Sequence, residues 1–123
     1  HFARQQVGTS YRYGGRDPRQ GFDCSGFTHY VLQRFDVNVT PQSGAQAREG
    51  RGLSLQAARP GDLIYFKRSA VGPVFHVAMV VSNDSRGLVV IHSTTSSGVI
   101  TTNLSESSYW GPKAVGARDV IGR

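Results

Sequence analysis

The sequence has little cysteine, few prolines and no long apolar run, and each shortage excludes a class of protein. Cys24 is the one cysteine among 123 residues, so an intramolecular disulfide and a metal site with several cysteine ligands are excluded. The longest apolar stretches, such as Leu88 to Ile91, are far shorter than the ~18–20 residues that span a bilayer. Five prolines, 38% hydrophobic residues and 18% charged residues fit neither a collagen-like nor a disordered chain. We therefore expect one folded domain over residues 1–123, without a transmembrane helix.

Lysine is also scarce, so nearly all of the positive charge is arginine. Lys67 and Lys113 are the two lysines, and the formal net charge is +6. This excess fits an anionic partner, but the arginines are scattered without a basic run, which does not favour nucleic acid. The opening residues from His1 contain no basic segment followed by an apolar one, so no targeting segment is expected in this chain.

The first half of the chain predicts short helices. Phe2 to Val7 fits one short helix, and glycines interrupt the chain from there to residue 22. From Ser25 to Phe35, apolar residues recur at helical spacing, with Asp23 as a plausible N-cap. One helical turn is expected over Gly44 to Glu49.

The second half predicts an antiparallel sheet. Pro60 to Asp62 reads as a turn before the first strand, and Asn83 to Gly87 carries the turn residues of a hairpin. The predicted strands are Leu63 to Phe66, Phe75 to Val81, Leu88 to Ser93, Gly98 to Asn103 and Val115 to Ile121. Helices followed by an antiparallel sheet are typical of an α+β fold.

Two histidines lie in the predicted hairpin. If Ser82 pairs with Leu88 across a five-residue loop, Ala78 opposes His92 and His76 is its diagonal neighbour on the same face. Diagonal neighbours lie roughly 7–8 Å apart, close enough for two imidazoles to hydrogen-bond. A four-residue loop would put the rings on opposite faces. Each histidine alone would more often be structural.

Cys24 lies at the start of the predicted helix, where partial positive charge favours a thiolate. The alternative is a small buried core residue, but the polar neighbours Asp23 and Ser25 favour a nucleophile. A cysteine, a histidine and an orienting group are the constellation of cysteine peptidases.

A zinc site would lack a fourth ligand, and no nucleotide-binding glycine motif occurs, so no metal or cofactor is expected.

Five blocks of the sequence resemble, in order, the signature blocks of the NlpC/P60 cell-wall cysteine peptidases. They are Gly8–Gly15 (GTSYRYGG), Gly21–Phe27 (GFDCSGF), Pro60–Phe66 (PGDLIYF), His76–Val80 (HVAMV) and His92. The resemblance implies a papain-like α+β core, in which N-terminal helices pack on an antiparallel sheet that carries both histidines.

The resemblance also implies roles for individual residues. Cys24 would be the nucleophile, His76 the general base and then acid, and His92 the orienting third member. Tyr11 matches an active-site tyrosine that adds an oxyanion donor, although it could equally be a packing residue. Asp23 and Ser25 match positions that hold a substrate amine, with a simple N-cap as the alternative for Asp23.

Two positions depart from the family pattern. Gln42 stands where the family often has arginine, which removes a positive charge from a loop beside the cleft. Ala78 stands where the family has glycine after His-Val. Neither change removes a catalytic group.

The function implied is hydrolysis of peptidoglycan stem peptides, commonly between γ-D-glutamate and a diamino acid such as meso-diaminopimelate. The resemblance places the protein in the periplasm, on an outer-membrane anchor or outside a bacterial cell. We expect a monomer whose partners are stem peptides and an inhibitor or accessory protein, because wall enzymes need restraint. The alternatives are a non-catalytic wall-binding module and an amidase or acyltransferase that uses the same three residues.

Overall fold

The helix that carries Cys24 begins where the sequence predicts. The structure is a computed structural model that describes residues 2–122. Helix α1 spans Cys24–Gln33, and Asp23 before it is extended, with φ −84° and ψ −179°. Its carboxylate accepts a hydrogen bond of 2.6 Å from the backbone N–H of Gly26, which makes Asp23 the N-cap.

The end of α1 differs from the predicted end at Phe35. The N–H of Val37 donates to the carbonyl of Leu32, and the N–H of Asp36 to that of Gln33. With φ 61° at Asp36, these bonds form a Schellman cap. Phe35 therefore lies in the capping turn, 60% exposed, rather than on the buried stripe of the helix.

Within residues 2–122, eight strands form two antiparallel sheets, which confirms the α+β prediction. The strands are β1 Arg16–Asp17, β2 Gly21–Phe22, β3 Arg51–Leu53, β4 Leu63–Lys67, β5 Val74–Asp84, β6 Gly87–Thr94, β7 Gly98–Asn103 and β8 Ala114–Asp119. Strands β1 and β2 pair with each other, and the other six lie in the order β3-β8-β4-β5-β6-β7.

Several short elements lie outside the predicted set. Strand β3 pairs with β8 through Arg51 and Asp119, a contact between distant parts of the chain that local pattern does not reveal. Instead of a helix over Phe2 to Val7 there is one 3-10 turn, Arg4–Gln6, because Val7 is extended with ψ 133°. Helix α2 spans Ser43–Gln46 where one turn was expected over Gly44 to Glu49. Further 3-10 turns are Leu55–Ala57 and Gly111–Lys113.

The core has two parts because successive side chains of β5 point to opposite faces of the sheet. Met79 packs with Phe27 and Val31 of α1 on one face. Ala78 and Val80 pack with Phe66 on the other face. Helix α1 thus covers one face and holds Cys24 at its first residue.

Candidate active site

The two strand histidines contact each other, as the sequence predicts. His76 Nε2 lies 2.8 Å from His92 Nδ1, a hydrogen bond between two buried side chains. His92 Nε2 lies 2.9 Å from Thr102 Oγ1 on β7. Three neighbouring strands thus hold a row of hydrogen-bonded polar groups.

A β-bulge, and not a five-residue loop, brings the histidines to the same face. The predicted pairing of Ser82 with Leu88 is wrong, because Ser82 pairs with Val89 and the strands continue to a two-residue turn after Asp84. The register shifts between Val80 and Ser82, so Met79 pairs with Ile91 beyond the bulge. Continued by one residue, this register places Ala78 opposite His92.

The bulge is therefore necessary for the contact. The pairing at the hairpin end, continued without a shift, would place His92 opposite Met79. Met79 faces α1, so the two imidazoles would then lie on different faces of the sheet. The wrong loop length and the unpredicted bulge each change the register by one residue, in opposite directions. The predicted contact between His76 and His92 is therefore correct.

The hydrogen bonds of the row define a consistent set of proton positions. If His92 donates from Nε2–H to the Thr102 hydroxyl, its Nδ1 accepts the hydrogen bond from Nε2–H of His76. His76 then keeps a lone pair on Nδ1. In this tautomer, Nδ1 is the atom of His76 that can accept a proton.

Cys24, His76 and Tyr11 line one cavity of about 520 Å³. The walls of this cavity are formed by Tyr11, Cys24, Arg68, Phe75, His76, Ser93, Thr94, Thr95, Ser96, Tyr109 and Trp110. His92 is fully buried behind His76. The structure thus brings the candidate nucleophile and the candidate base to one solvent-connected space.

Burial changes the protonation of the candidate nucleophile. It raises the pKa of the Cys24 thiol to about 11, although the backbone N–H of Val77 lowers that pKa. The nearby carboxylate of Asp23 raises it further. The N–H groups at the start of α1 lower the pKa of Cys24, as the sequence predicts, but desolvation outweighs them in the substrate-free site.

Burial lowers the pKa values of both histidines, whereas it raises the pKa of the thiol. It lowers the pKa of His92 to about 4. Burial and the neighbouring His92 together lower the pKa of His76 to about 2. At neutral pH the resting site therefore holds a thiol and two neutral imidazoles.

Trp110 is a site residue that the sequence reasoning missed. Its ring lies over His76, with centroids 4.3 Å apart and an interplanar angle of 31°. The same ring meets His92 edge-on at 5.0 Å, and Phe66 contacts His76 at 5.3 Å. This aromatic cover desolvates both imidazoles. The one signal in the sequence was that Trp110 is the only tryptophan, which does not indicate its position.

The side chain of Gln46 stabilises the first turn of α1 through hydrogen bonds. Its side chain is fully buried, and Nε2 donates to the carbonyls of Ser25 and Thr40 at 3.0 and 2.8 Å. Its Oε1 accepts a bond of 2.6 Å from the Thr28 hydroxyl. These bonds fix the turn that contains Cys24.

Asp23 and Ser25 lie beside Cys24 but not among the walls of this cavity, as residues 2–122 form it. The second carboxylate oxygen of Asp23 accepts a bond of 3.0 Å from the N–H of Gly14. The Ser25 hydroxyl donates to Asp23 at 3.3 Å and is 5% exposed. Asp23 therefore joins the glycine-rich loop to the start of α1, and Ser25 bonds to Asp23 within that first turn.

Tyr11 lies closer to the candidate chemistry. It forms an isolated bridge with Phe22, two residues before Cys24, and it shares the cavity with Cys24. Burial, with the nearby Cys24 and Asp23, raises the pKa of its hydroxyl. The hydroxyl therefore keeps its proton and can donate a hydrogen bond.

Comparisons with known proteins identify the family of this chain. The model of the NlpC/P60 family matches residues 8–119. The chain is 35% identical over 120 residues to a Gamma-DL-glutamyl hydrolase of Bacillus subtilis, covering 96% of this chain and 28% of that protein. It is 34% identical over 120 residues to Murein DD-endopeptidase MepH of Escherichia coli, covering 95% of this chain and 43% of that protein. The chain thus spans less than half the length of either relative.

Solved structures are similar over nearly the whole chain. An NlpC/P60 family protein from Bacillus cereus superposes with a TM-score of 0.86 at 30% identity, covering 97% of this chain and 38% of that one. The NlpC/p60 domain of the peptidoglycan hydrolase SagA superposes with a TM-score of 0.77 at 30% identity, covering 95% of this chain and 92% of the domain. By sequence and by fold, this chain belongs to the NlpC/P60 family.

Proposed function

We propose that this chain is a cysteine peptidase domain that hydrolyses peptidoglycan stem peptides. The observation that carries the proposal is the shared cavity of Cys24 and His76, with His76 hydrogen-bonded to His92 behind it. A nucleophile, a base and a group that orients the base are the parts that acyl transfer needs. Relatives named as murein endopeptidase and glutamyl hydrolase support a peptidoglycan substrate.

In the first half of the reaction, His76 Nδ1 takes the thiol proton while Cys24 Sγ attacks the scissile carbonyl carbon. The oxyanion that forms accepts hydrogen bonds from the backbone N–H of Cys24 and from the Tyr11 hydroxyl. His76 then gives the proton to the leaving amine as the C–N bond breaks, which leaves an acyl-thioester on Cys24.

In the second half, His76 takes a proton from water, and the hydroxide attacks the thioester carbonyl. The C–S bond breaks, the acyl product leaves as a carboxylic acid that ionises, and the proton returns to Cys24. His92 acts as the orienting group throughout, because its hydrogen bond keeps the tautomer and ring position of His76.

For the finer specificity, we propose the bond between γ-D-glutamate and a diamino acid, with Asp23 and Ser25 near the substrate amine. The bond of Asp23 to the glycine-rich loop and the bond of Ser25 to Asp23 support a role in shaping that end of the site. A substrate in peptidoglycan places the protein in the periplasm or outside the cell. Within residues 2–122, no helix is long and apolar enough to cross a membrane.

The test is mass spectrometry of L-Ala-γ-D-Glu-meso-diaminopimelate after incubation with the protein and with Cys24→Ala and His76→Ala variants. His29→Gln is the matched control, because His29 lies on α1 and bonds to the carbonyl of Val39 instead of lining the cavity. We expect cleavage after γ-D-glutamate by the intact protein and the control, and none by the other two variants.

Cleavage by Cys24→Ala would contradict the assigned nucleophile. An intact protein that leaves every stem peptide uncut, but still sediments with purified sacculi, would support a non-catalytic wall-binding module instead. Transfer of the acyl group to an added amine, without hydrolysis, would support an acyltransferase.

A further inference from the structure

One cationic side chain lines the catalytic cavity. Arg68 follows β4, and its guanidinium carbon lies 4.0 Å from the centroid of the Phe75 ring. Both residues line the cavity together with Cys24, and Phe75 directly precedes His76 on β5. The same walls contain no aspartate or glutamate among residues 2–122. Arg68 therefore supplies the positive charge of these walls, while the carboxylate of Asp23 lies outside them, near Cys24 and Tyr11.

The guanidinium of Arg68 differs from the structural arginines of this chain. Arg118 donates to the backbone carbonyls of Arg48, Glu49 and Gly50. Arg51 and Arg59 each approach the buried carboxylate of Asp119. Arg68 has no carboxylate within 4.0 Å among the described residues. Stacking on Phe75 uses the face of the guanidinium and leaves its in-plane N–H donors for another partner.

Hydroxyl groups from the turn between β6 and β7 add further donors. Ser93 and Thr94 already donate to the carbonyls of Phe22 and Gly98, at 2.7 and 3.0 Å. Thr95 and Ser96, which follow them in the turn, are exposed and line the same cavity. A planar cation with neighbouring hydroxyl donors is suited to a carboxylate.

We propose that Arg68 binds a free carboxylate of the substrate, next to the scissile amide. This inference rests on the proposed function. Arg68 and Cys24 line the same cavity of about 520 Å³, so a carboxylate bound by Arg68 belongs to a substrate held in the cavity of the nucleophile. In a γ-linked glutamate the α-carboxylate is free on the acyl side, and meso-diaminopimelate supplies carboxylates on the amine side. Arg68 thereby selects acidic stem peptides.

The test compares Arg68→Gln and Arg68→Lys with the intact protein on three tripeptides. The first is L-Ala-γ-D-Glu-meso-diaminopimelate, the second has the glutamate α-carboxylate as a carboxamide, and the third has lysinamide at position three, which lacks both carboxylates of the amine side. Arg86→Gln is the matched control, because it removes the same charge from the β5–β6 turn, where Arg86 lies 3.6 Å from Asp84 and is 88% exposed.

We expect Arg68→Gln to lower kcat/KM about tenfold on the first tripeptide, mostly through KM, and Arg86→Gln to leave it unchanged. On the tripeptide that lacks the carboxylate bound by Arg68, we expect the intact protein to show the same loss of kcat/KM. Arg68→Gln should not lower kcat/KM further on that tripeptide. Arg68→Lys recovers part of the activity, because it keeps the charge but loses the planar pair of donors. The analogue that cancels the Arg68 effect identifies which carboxylate is bound.

An equal effect of Arg68→Gln on all three tripeptides, or no effect on any, overturns the inference while the peptidase function stands. An intact protein that cleaves none of the three overturns both. These outcomes are distinguishable because the first two require an active enzyme.

Discussion

Of the cavities formed by residues 2–122, two of similar size have contrasting linings, and their comparison shows that chemistry rather than volume distinguishes the candidate site. The cavity that contains Cys24 is about 520 Å³, and another of about 430 Å³ lies between α1 and the sheet, with Leu32, Met79 and Ile91 in its walls. The second is lined mostly by apolar side chains. At the cavity that contains Cys24, burial acts on the thiol, on the His76 imidazole and on the His92 imidazole behind it, and shifts their pKa values. The same desolvation that stabilises one region therefore sets the chemistry of the other.

The largest expected difference between the two cavities is in how their residues make the free energy of unfolding depend on pH. The native pKa values of His76 and His92 lie below the ordinary value of 6.5, so the unfolded chain binds more protons below that pH. Their contribution to stability is present above pH 6.5 and is lost as the pH falls. We expect the free energy of unfolding to fall by up to about 4 kcal/mol between pH 7 and pH 5, about half from each histidine. Urea denaturation at several pH values measures this, and a His92→Asn variant halves the slope.

Opening the aromatic cover tests whether burial causes these protonation states. Trp110→Ala exposes His76 and His92 to water, so their pKa values rise towards 6.5, and about 3 kcal/mol of stability is lost. Histidine ring NMR titration follows the first effect and urea denaturation the second. Trp110→Phe is the control, because it keeps a ring against His76. Unchanged titration in the alanine variant would contradict the assigned role of the cover.

A substitution in the apolar cavity is expected to lower the stability of the protein without changing its activity. Leu32 is 3% exposed and belongs to the core between α1 and the sheet. We expect Leu32→Ala to cost about 2 kcal/mol of stability through lost packing. The kcat/KM of the folded protein remains that of the wild type, as measured on the stem tripeptide. A large loss of activity at full folding would show that the two cavities are coupled.

The smallest expected effect comes from the hydroxyl at the end of the histidine row. Thr102→Val keeps the shape of the side chain but removes the oxygen that lies 2.9 Å from His92 Nε2. We expect about a tenfold lower kcat with little change in KM, because His92 loses the partner that fixes its tautomer. Thr101→Val, at the exposed neighbouring position of β7, is the control. Equal kinetics of the two variants would exclude a role for Thr102.

Local sequence features predicted much of the scaffold and part of the site. Asp23 and the apolar spacing after it located the start of α1, and strand β7 has the predicted bounds, Gly98–Asn103. Strand β3 and Trp110 were missed because long-range packing positions both. The N–H groups that favour a Cys24 thiolate were predicted, but the burial that outweighs them was not, since a helix N-terminus is visible in the sequence and burial is not.

The most direct test of the neutral resting site is the pH dependence of Cys24 alkylation by iodoacetamide in the substrate-free protein. With a thiol pKa of about 11 and neutral imidazoles, we expect slow alkylation at pH 7 and a rate that rises steadily to pH 10. Trp110→Ala should react faster at pH 7, because the thiolate then pairs with a better solvated imidazolium. A fast rate in the intact protein that is constant from pH 5 to pH 8 would show a resting thiolate–imidazolium pair and contradict the effect of burial.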